Sequence, residues 1–296
     1  MMRAPVLVTG ASGNVGRAVV DALVRAGADV RAASRDGRTP RPGRGPAPRP
    51  GQMTGVRFDF TDEATWPGAF AGIEVMFVVR PPALGNARRD IIPALAAARD
   101  AGVRHMVLLS LQGAERNPVV PHAAIERWLR ASGLGWTFVR ASFFDQNLST
   151  THAADIRDRD EIVVPAGRGA TAFVDAHDVG AVAAAALLDP DRHAGRAWTV
   201  TGSEALTYDQ AAAILTAELG RPIRYARPGV LRYARHARRA LHMPWGMVAV
   251  TAAIYTTARV GLAAGLTDDV RTVLGREPTT FAQFAHRERA AWARPR

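Results

Sequence analysis

Along the first half of the chain, short unbroken apolar runs are followed by longer stretches in which apolar positions recur every three or four residues. The runs at 5–8, 28–33, 56–60, 75–79, 105–109 and 137–140 are too short for helices. They lack polar alternation, as strands of a parallel sheet buried on both faces should. After the first run, Val15, Val19, Ala22, Leu23 and Ala26 fall on one face of a helix that Gly27 ends. Further helices are predicted over 62–70, 86–101 and 121–131; Gly102 closes the second, and Pro121 suits the first turn of the third. Only 36–55, rich in Pro, Gly and Arg, shows no period and reads as an exposed, mobile loop. Strands and helices that alternate in this way predict a Rossmann-like, doubly wound parallel α/β sheet.

Past residue 140 the pattern loosens. Short strands are predicted at 162–167 and 171–174, then a helix over 179–188 capped by Asp175 and Asp178. A strand at 197–201 returns to the sheet. Helices follow over 207–219, with Thr207 as cap and Gly220 as stop, and over 230–241, 247–264, 268–274 and 280–292, with a short strand at 223–226. The organisation expected is a dinucleotide-binding domain over 1–200, with an excursion near 146–172, and a small, mainly helical substrate lobe over 201–296. There are no internal repeats.

Composition narrows the chemistry. The 296 residues are 48% apolar and 22% charged, ordinary for a soluble globular protein. Without cysteine there is no disulfide, thiolate nucleophile or cysteine metal site. All 38 basic residues are arginine, so a Schiff base, a catalytic ammonium and a phosphate-loop lysine are excluded. The net charge of +11 comes from scattered arginines, densest over 35–49 and 224–239, with no recognition motif, so no nucleic-acid partner is expected. The apolar run 245–266 is broken by Arg259, Gly246, Gly261 and Gly265 and reads as packed helix rather than a membrane span. With no leader-like segment at its start, the chain is expected to be cytoplasmic and off the membrane.

The candidate site starts at the turn after the first strand: Gly10, Ala11, Ser12, Gly13, Asn14, Val15 and Gly16. Glycines there let the main chain approach a pyrophosphate, and the helix start offers it unpaired N–H groups and a partial positive charge. About twenty residues on, where a dinucleotide fold meets the adenosine ribose, stand Ser34 and Arg35; a hydroxyl and a guanidinium suit a 2′-phosphate, so NADP(H) is preferred over NAD(H). Asp59 and Phe60 are placed at the adenine. Arg80 and Pro81, just past the fourth strand, lie at the carboxyl edge of the sheet beside the expected nicotinamide ribose. Asp175, His177 and Asp178 are read as helix-capping residues and neighbours rather than a metal site.

Val8-Thr9-Gly10-Ala11-Ser12-Gly13-Asn14-Val15-Gly16, Ser34-Arg35, Arg80-Pro81-Pro82, His122-x-x-x-Glu126, Gly133-Leu134-x-Trp136-Thr137-x-x-Arg140, Phe143-Phe144-x-Gln146-Asn147 and Phe173-Val174-Asp175-x-x-Asp178-Val179 together resemble the NmrA-like NAD(P)H-binding proteins. These are atypical short-chain dehydrogenases with quinone- and dye-reductase relatives. The resemblance spans about 4–285. It implies that Phe143 touches the cofactor and that Pro81, Phe144 and Asn147 line the substrate cleft. An imidazole at His122 can protonate a product oxygen or hold ribose or substrate, oriented by Glu126 one helical turn on; the alternative reading is a helix-surface His–Glu pair. Ordinary short-chain dehydrogenases use a Tyr–Lys pair. Here lysine is absent and the tyrosines (Tyr208, Tyr225, Tyr233 and Tyr255) all fall late, so alcohol oxidation by that route is not available. The expectation is NADPH-dependent hydride transfer to a small apolar electrophile such as a quinone, enone or dye. The alternative is an inactive NADP(H)-binding redox sensor acting through a protein partner. A homodimer is also expected as an option.

Overall fold

The computed structural model describes residues 4–39 and 51–294, which fall into two compact units. The first comprises Met1–Ala141, Ala176–Val200 and Thr272–Gly275; the second comprises Ser142–Asp175, Thr201–Arg271 and Arg276–Arg296.

In the first unit, strands and helices alternate: β1 (Val6–Val8), α1 (Asn14–Arg25), β2 (Val30–Ser34), β3 (Met53–Arg57), α2 (Trp66–Phe70), β4 (Val75–Val78), α3 (Ala87–Asp90), α4 (Ile92–Asp100), β5 (His105–Leu111), α5 (Pro121–Ala131) and β6 (Gly135–Ala141). With the later strand Arg196–Val200 they form a seven-stranded sheet, ordered Arg196–Val200, β6, β5, β4, β1, β2, β3. Every described pairing in it is parallel. The chain winds outward from β1 through β2 to β3, then crosses back to lay β4 on the other flank of β1. The topological switch point therefore falls between β1 and β4, where open sheets of this kind bind ligands. Leu7, Met76, Met106 and Phe138 bury one face of the sheet against Leu95, Ile125 and Leu129 of the covering helices.

On the other side, α1 lies against the helix Ala176–Leu188. Gly180 makes that approach possible, because a Cβ there would stand 2.5 Å from the Cβ of Ala18 and 2.8 Å from its carbonyl carbon.

Several elements depart from the expected boundaries; the strand expected at 162–167 is reduced to Glu161–Ile162, and the helix expected over 280–292 divides into Phe281–Glu288 and a short turn of helix at Arg289–Trp292. The strand expected at 56–60 lies at Met53–Arg57, so that it begins inside the stretch read as loop and ends three residues early. β3 is an edge strand, half exposed, which tolerates Thr54, Gly55 and Arg57. Phe58 and Phe60, which suggested a strand, instead pack on each other beyond its end, ring centroids 4.8 Å apart. Residues 40–50 of the expected loop, with most of its arginines, lie outside the described residues. The helix expected over 86–101 is two, α3 and α4, divided at Ile91, because Pro93 can supply no N–H to a continuous ladder. The helix expected over 247–264 runs from Trp245 to Arg259. It stops where Gly261 takes φ +80°, its N–H bonding to the Ala258 carbonyl and that of Leu262 to Thr257.

The second unit is built around the strand Ala170–Val174, paired with Ala205–Thr207 antiparallel and with Phe143–Phe144 parallel; Glu161–Ile162 pairs with Arg224–Tyr225. Helices Tyr208–Leu219 and Phe281–Glu288 each open on a capping box, Thr207 with Gln210 and Thr280 with Gln283. Small helices at Gln146–Ser149 and Ala153–Arg159 carry too little periodicity to be read from sequence. Tyr208, Tyr225, Tyr233, Tyr255, Phe281, Phe284 and Trp292 dominate the core. Among the described residues no helix is long and apolar enough to cross a membrane.

Candidate functional site

β1 delivers the chain into the turn at Gly10, whose φ of +61° is a left-handed value that favours glycine. The Gly13 N–H closes the turn on the Gly10 carbonyl at 3.0 Å. Gly16, in the first turn of α1, is pressed so closely to that carbonyl that a Cβ would overlap its oxygen. Glycine is thus required twice for separate reasons: backbone angle at position 10 and contact at position 16. Thr9 fixes the turn to the neighbouring strand, its hydroxyl donating to the Phe77 carbonyl and accepting from the Val79 N–H at 2.8 Å. Ala11, Val15 and Gly16 are buried, whereas Ser12, Gly13 and Asn14 face outward. The N-cap of α1 is Gly13, which brings no side-chain acceptor, and the first turn holds no acidic residue. The amide groups and positive end of α1 are left without a side-chain partner, an arrangement suited to phosphate.

β2 runs beside β1 and ends at Ser34, half-buried, followed by exposed Arg35. The Ser34 hydroxyl donates to the Asp36 carboxylate at 2.9 Å, and the Arg38 N–H donates to the same oxygen at 3.2 Å. The Arg38 N–H and then the Ser34 hydroxyl hold the Asp36 carboxyl below the usual carboxylate range. Arg35 makes no hydrogen bond or ion pair among the described residues. The Asp59 carboxylate accepts from the Thr61 N–H and hydroxyl, which outweigh its partial burial and lower its pKa. The side chain of Phe60 is buried in the core.

The segment after β4 is shaped by Arg80. One guanidinium nitrogen donates to the carbonyls of Pro81, Pro82 and Leu84 at 2.9–3.2 Å, curling the loop around it and leaving Pro81 half-buried. The Arg80 Nε is buried with no hydrogen-bond partner among the described residues, and so is the Nδ1 of His122 in the first turn of α5. Two buried, unpartnered polar atoms are costly unless something else meets them. Burial, reinforced by the Arg80 charge and opposed by Glu126, pushes the His122 imidazole down to about 4. At neutral pH the ring is uncharged, with one N–H and one lone pair. In that form the ring can present its N–H or its lone pair to an oxygen beside it.

Glu126 does not orient His122 by a hydrogen bond, although the two are one turn apart. It is almost wholly buried, and its carboxylate is taken by the Ser110 hydroxyl at 2.7 Å and by Arg140 through Nε at 3.0 Å and a terminal nitrogen at 2.7 Å. Arg130 approaches at 3.4 Å, and Arg140 also reaches Glu115 at 3.1 Å. This network joins α5 to the ends of β5 and β6. The sequence carried a faint sign of it, a serine and an arginine near the ends of two mainly apolar strands.

In the second unit, Phe143 and Phe144 pair with Phe173 and Val174, and both rings are half-buried; Phe143 lies 6.3 Å from the ring of Tyr255. Asn147 is half-buried on the helix Gln146–Ser149, its carbonyl accepting the His152 N–H. Gln146 donates to Asp175 at 2.8 Å, and Arg287 pairs with the other oxygen of that carboxylate at 2.5 Å. Asp175 immediately precedes the helix Ala176–Leu188, and Asp178 lies in its first turn. Three of the tyrosine hydroxyls are occupied: Tyr225 by the Val164 carbonyl, Tyr233 by Thr251 and Tyr255 by His152. Burial raises the pKa of all four tyrosines, that of Tyr225 to about 12.

A family model described as the NmrA-like family matches residues 2–240. An NAD(P)H azoreductase of Xenophilus azovorans is 36% identical over 298 residues, covering 97% of this chain and 99% of that protein. A (4-alkanoyl-5-oxo-2,5-dihydrofuran-3-yl)methyl phosphate reductase of Streptomyces griseus is 34% identical over 297 residues, covering 97% and 99%. Among solved structures, the NADPH-dependent quinone oxidoreductase of Escherichia coli complexed with NADPH has a TM-score of 0.77 over 95% of this chain and 99% of that one. At 23% identity, that likeness concerns the fold.

Proposed function

The chain belongs to the NmrA-like family, and on that premise we propose that it is an NADPH-dependent reductase of a small apolar electrophile: a quinone, an enone or a dye. The observation that carries this reading is the uncapped N-terminus of α1 behind a turn that only glycine can build, together with the unpartnered buried atoms of Arg80 and His122. The names of its relatives support an oxidoreductase role and a nicotinamide cofactor, and they give the sensor reading no advantage over it.

When bound, the cofactor supplies the hydride. The amides over Gly10–Gly16 hold its pyrophosphate. Ser34 and Arg35 receive the 2′-phosphate. The carboxylate that would instead favour NAD, Asp36, is already engaged by Ser34 and Arg38, while Arg35 makes no hydrogen bond or ion pair among the described residues. Asp59 and Phe60 stay assigned to the adenine end, Phe60 through its main chain because its ring is in the core. Arg80 and Phe143 are assigned to the cofactor, and Pro81, Phe144 and Asn147 to the substrate. Neutral His122 orients the acceptor oxygen with its N–H. A conjugated acceptor is itself electrophilic, so positioning rather than a strong acid is the protein's main contribution.

The test is cofactor consumption with NADPH and with NADH across quinones, enones, azo dyes and triarylmethane dyes, for the wild type, Arg35→Asp and His122→Ala. NADPH turnover should exceed NADH turnover. Arg35→Asp should raise the KM for NADPH by about tenfold or more with little change for NADH, and His122→Ala should lower kcat. Tight NADPH binding without turnover of any acceptor would move the sensor reading ahead.

A further inference from the structure

Away from the glycine turn, one helix of the second unit concentrates charge that its own surroundings do not explain. The helix Val230–Arg239 contains no acidic residue and carries Arg232, Arg235, His236 and Arg239 at spacings of three and four, hence on one face. With Arg159, the last residue of the helix Ala153–Arg159, and with Ala240, they line a groove of about 390 Å³.

Helix stability does not account for this set. Like charges three and four residues apart repel, and Arg232 sits in the first turn, where the helix end is itself partly positive. Arg238 has a local role, donating to the Met243 carbonyl and lying over the Trp245 ring at 5.3 Å. Arg232, Arg235 and Arg239 are exposed and make no hydrogen bond or ion pair among the described residues. The carboxylate that touches this group, Asp155, is buried and already committed, to the His236 Nε2 at 2.8 Å and to Arg159 at 3.4 Å. It anchors two members of the lining without neutralising the other three.

We propose that this groove binds a soluble, multivalent, phosphate-bearing anion. Guanidinium groups present paired N–H donors that match phosphate oxygens, and three unpaired ones converging on one groove from a single helix face call for more charge than one carboxylate brings. The site lies wholly within the second unit and does not depend on the reductase reading.

The experiment is calorimetric titration of the NADPH-saturated full chain with sodium pyrophosphate at low ionic strength, so that phosphate sites at the glycine turn are already filled. Arg232→Ser/Arg235→Ser is compared with Arg25→Ser, an exposed arginine outside the groove. The residues changed are on the surface, and an unchanged or raised melting temperature without ligand will show that the variant folds. The expected result is saturable, one-to-one binding that weakens by about tenfold or more in the double variant and is unchanged in the control. Absence of saturable heat in the wild type would overturn the proposal, and so would equal losses in both variants, which would indicate diffuse charge. Binding to vesicles of anionic phospholipid without affinity for pyrophosphate would overturn it in favour of a lipid surface.

Discussion

Two histidines of the first unit are kept neutral by the fold, and both make it acid-sensitive. Burial and the Arg80 charge push His122 to about 4, and burial pushes His105 to about 4. The His105 Nε2 lies 3.0 Å from the Thr137 hydroxyl, which spends its own proton on the His193 carbonyl, so the imidazole is the donor. Gly135 makes room for this ring, since a Cβ there would stand 2.5 Å from its Nδ1. An unfolded histidine titrates near 6.5, so between about pH 6.5 and pH 4 the unfolded chain binds more protons than the folded one. The stability these groups contribute is complete above about 6.5 and lost as the pH falls through about 4. The unfolding free energy measured in urea should therefore decline over that window, by roughly 1–3 kcal/mol per histidine, and His122→Ala should flatten the decline. The same neutrality predicts that turnover between pH 6 and 8 shows no ionisation belonging to His122. The sequence revealed the imidazole but not its charge state, because burial and the approach of Arg80 exist only once α5 packs against the loop after β4.

At the scale of elements, α5 is held by a buried carboxylate as well as by its apolar face. Glu126 is its anchor, tying it to Ser110 on β5 and to Arg140 on β6. Removing the carboxylate leaves a buried guanidinium with Glu115 as its remaining ion-pair partner among the described residues, so Glu126→Ala should cost about 3–5 kcal/mol in chemical denaturation, whereas Glu115→Ala, at a half-exposed contact, should cost about 1 kcal/mol or less. The boundaries of α5 could be read closely from sequence, since Pro121 opens it and its apolar residues keep helical period. The purpose of Glu126 could not: spacing along the helix suggested His122 as its partner, and only the tertiary approach of two strands shows where the carboxylate points. β3 was misplaced for the opposite reason. Its residues are polar enough for a loop because an edge strand has one side without neighbours, while the apolar Phe58 and Phe60 beyond it answer to the core.

At the scale of the molecule, the parallel sheet and its glycine turn were legible because each rests on local pattern, apolar runs of strand length and helices between them. The second unit was less so. Its strands are of two to five residues, and it draws on three separate stretches of sequence, so its architecture is set by contacts between segments far apart in the chain. Sequence distance is also bridged within the first unit, where the helix Ala176–Leu188 rests on α1 with Gly180 against Ala18. Contact this close has a thermodynamic corollary. If the placement of α1 governs how well its amides meet a phosphate, then filling the turn must in return steady the later helix, because coupling between two equilibria is reciprocal. Hydrogen exchange over Ala176–Leu188 should slow when NADPH is added, and Gly180→Ala should both weaken NADPH and erase that slowing. A helix remote in sequence from the nucleotide would then report its occupancy.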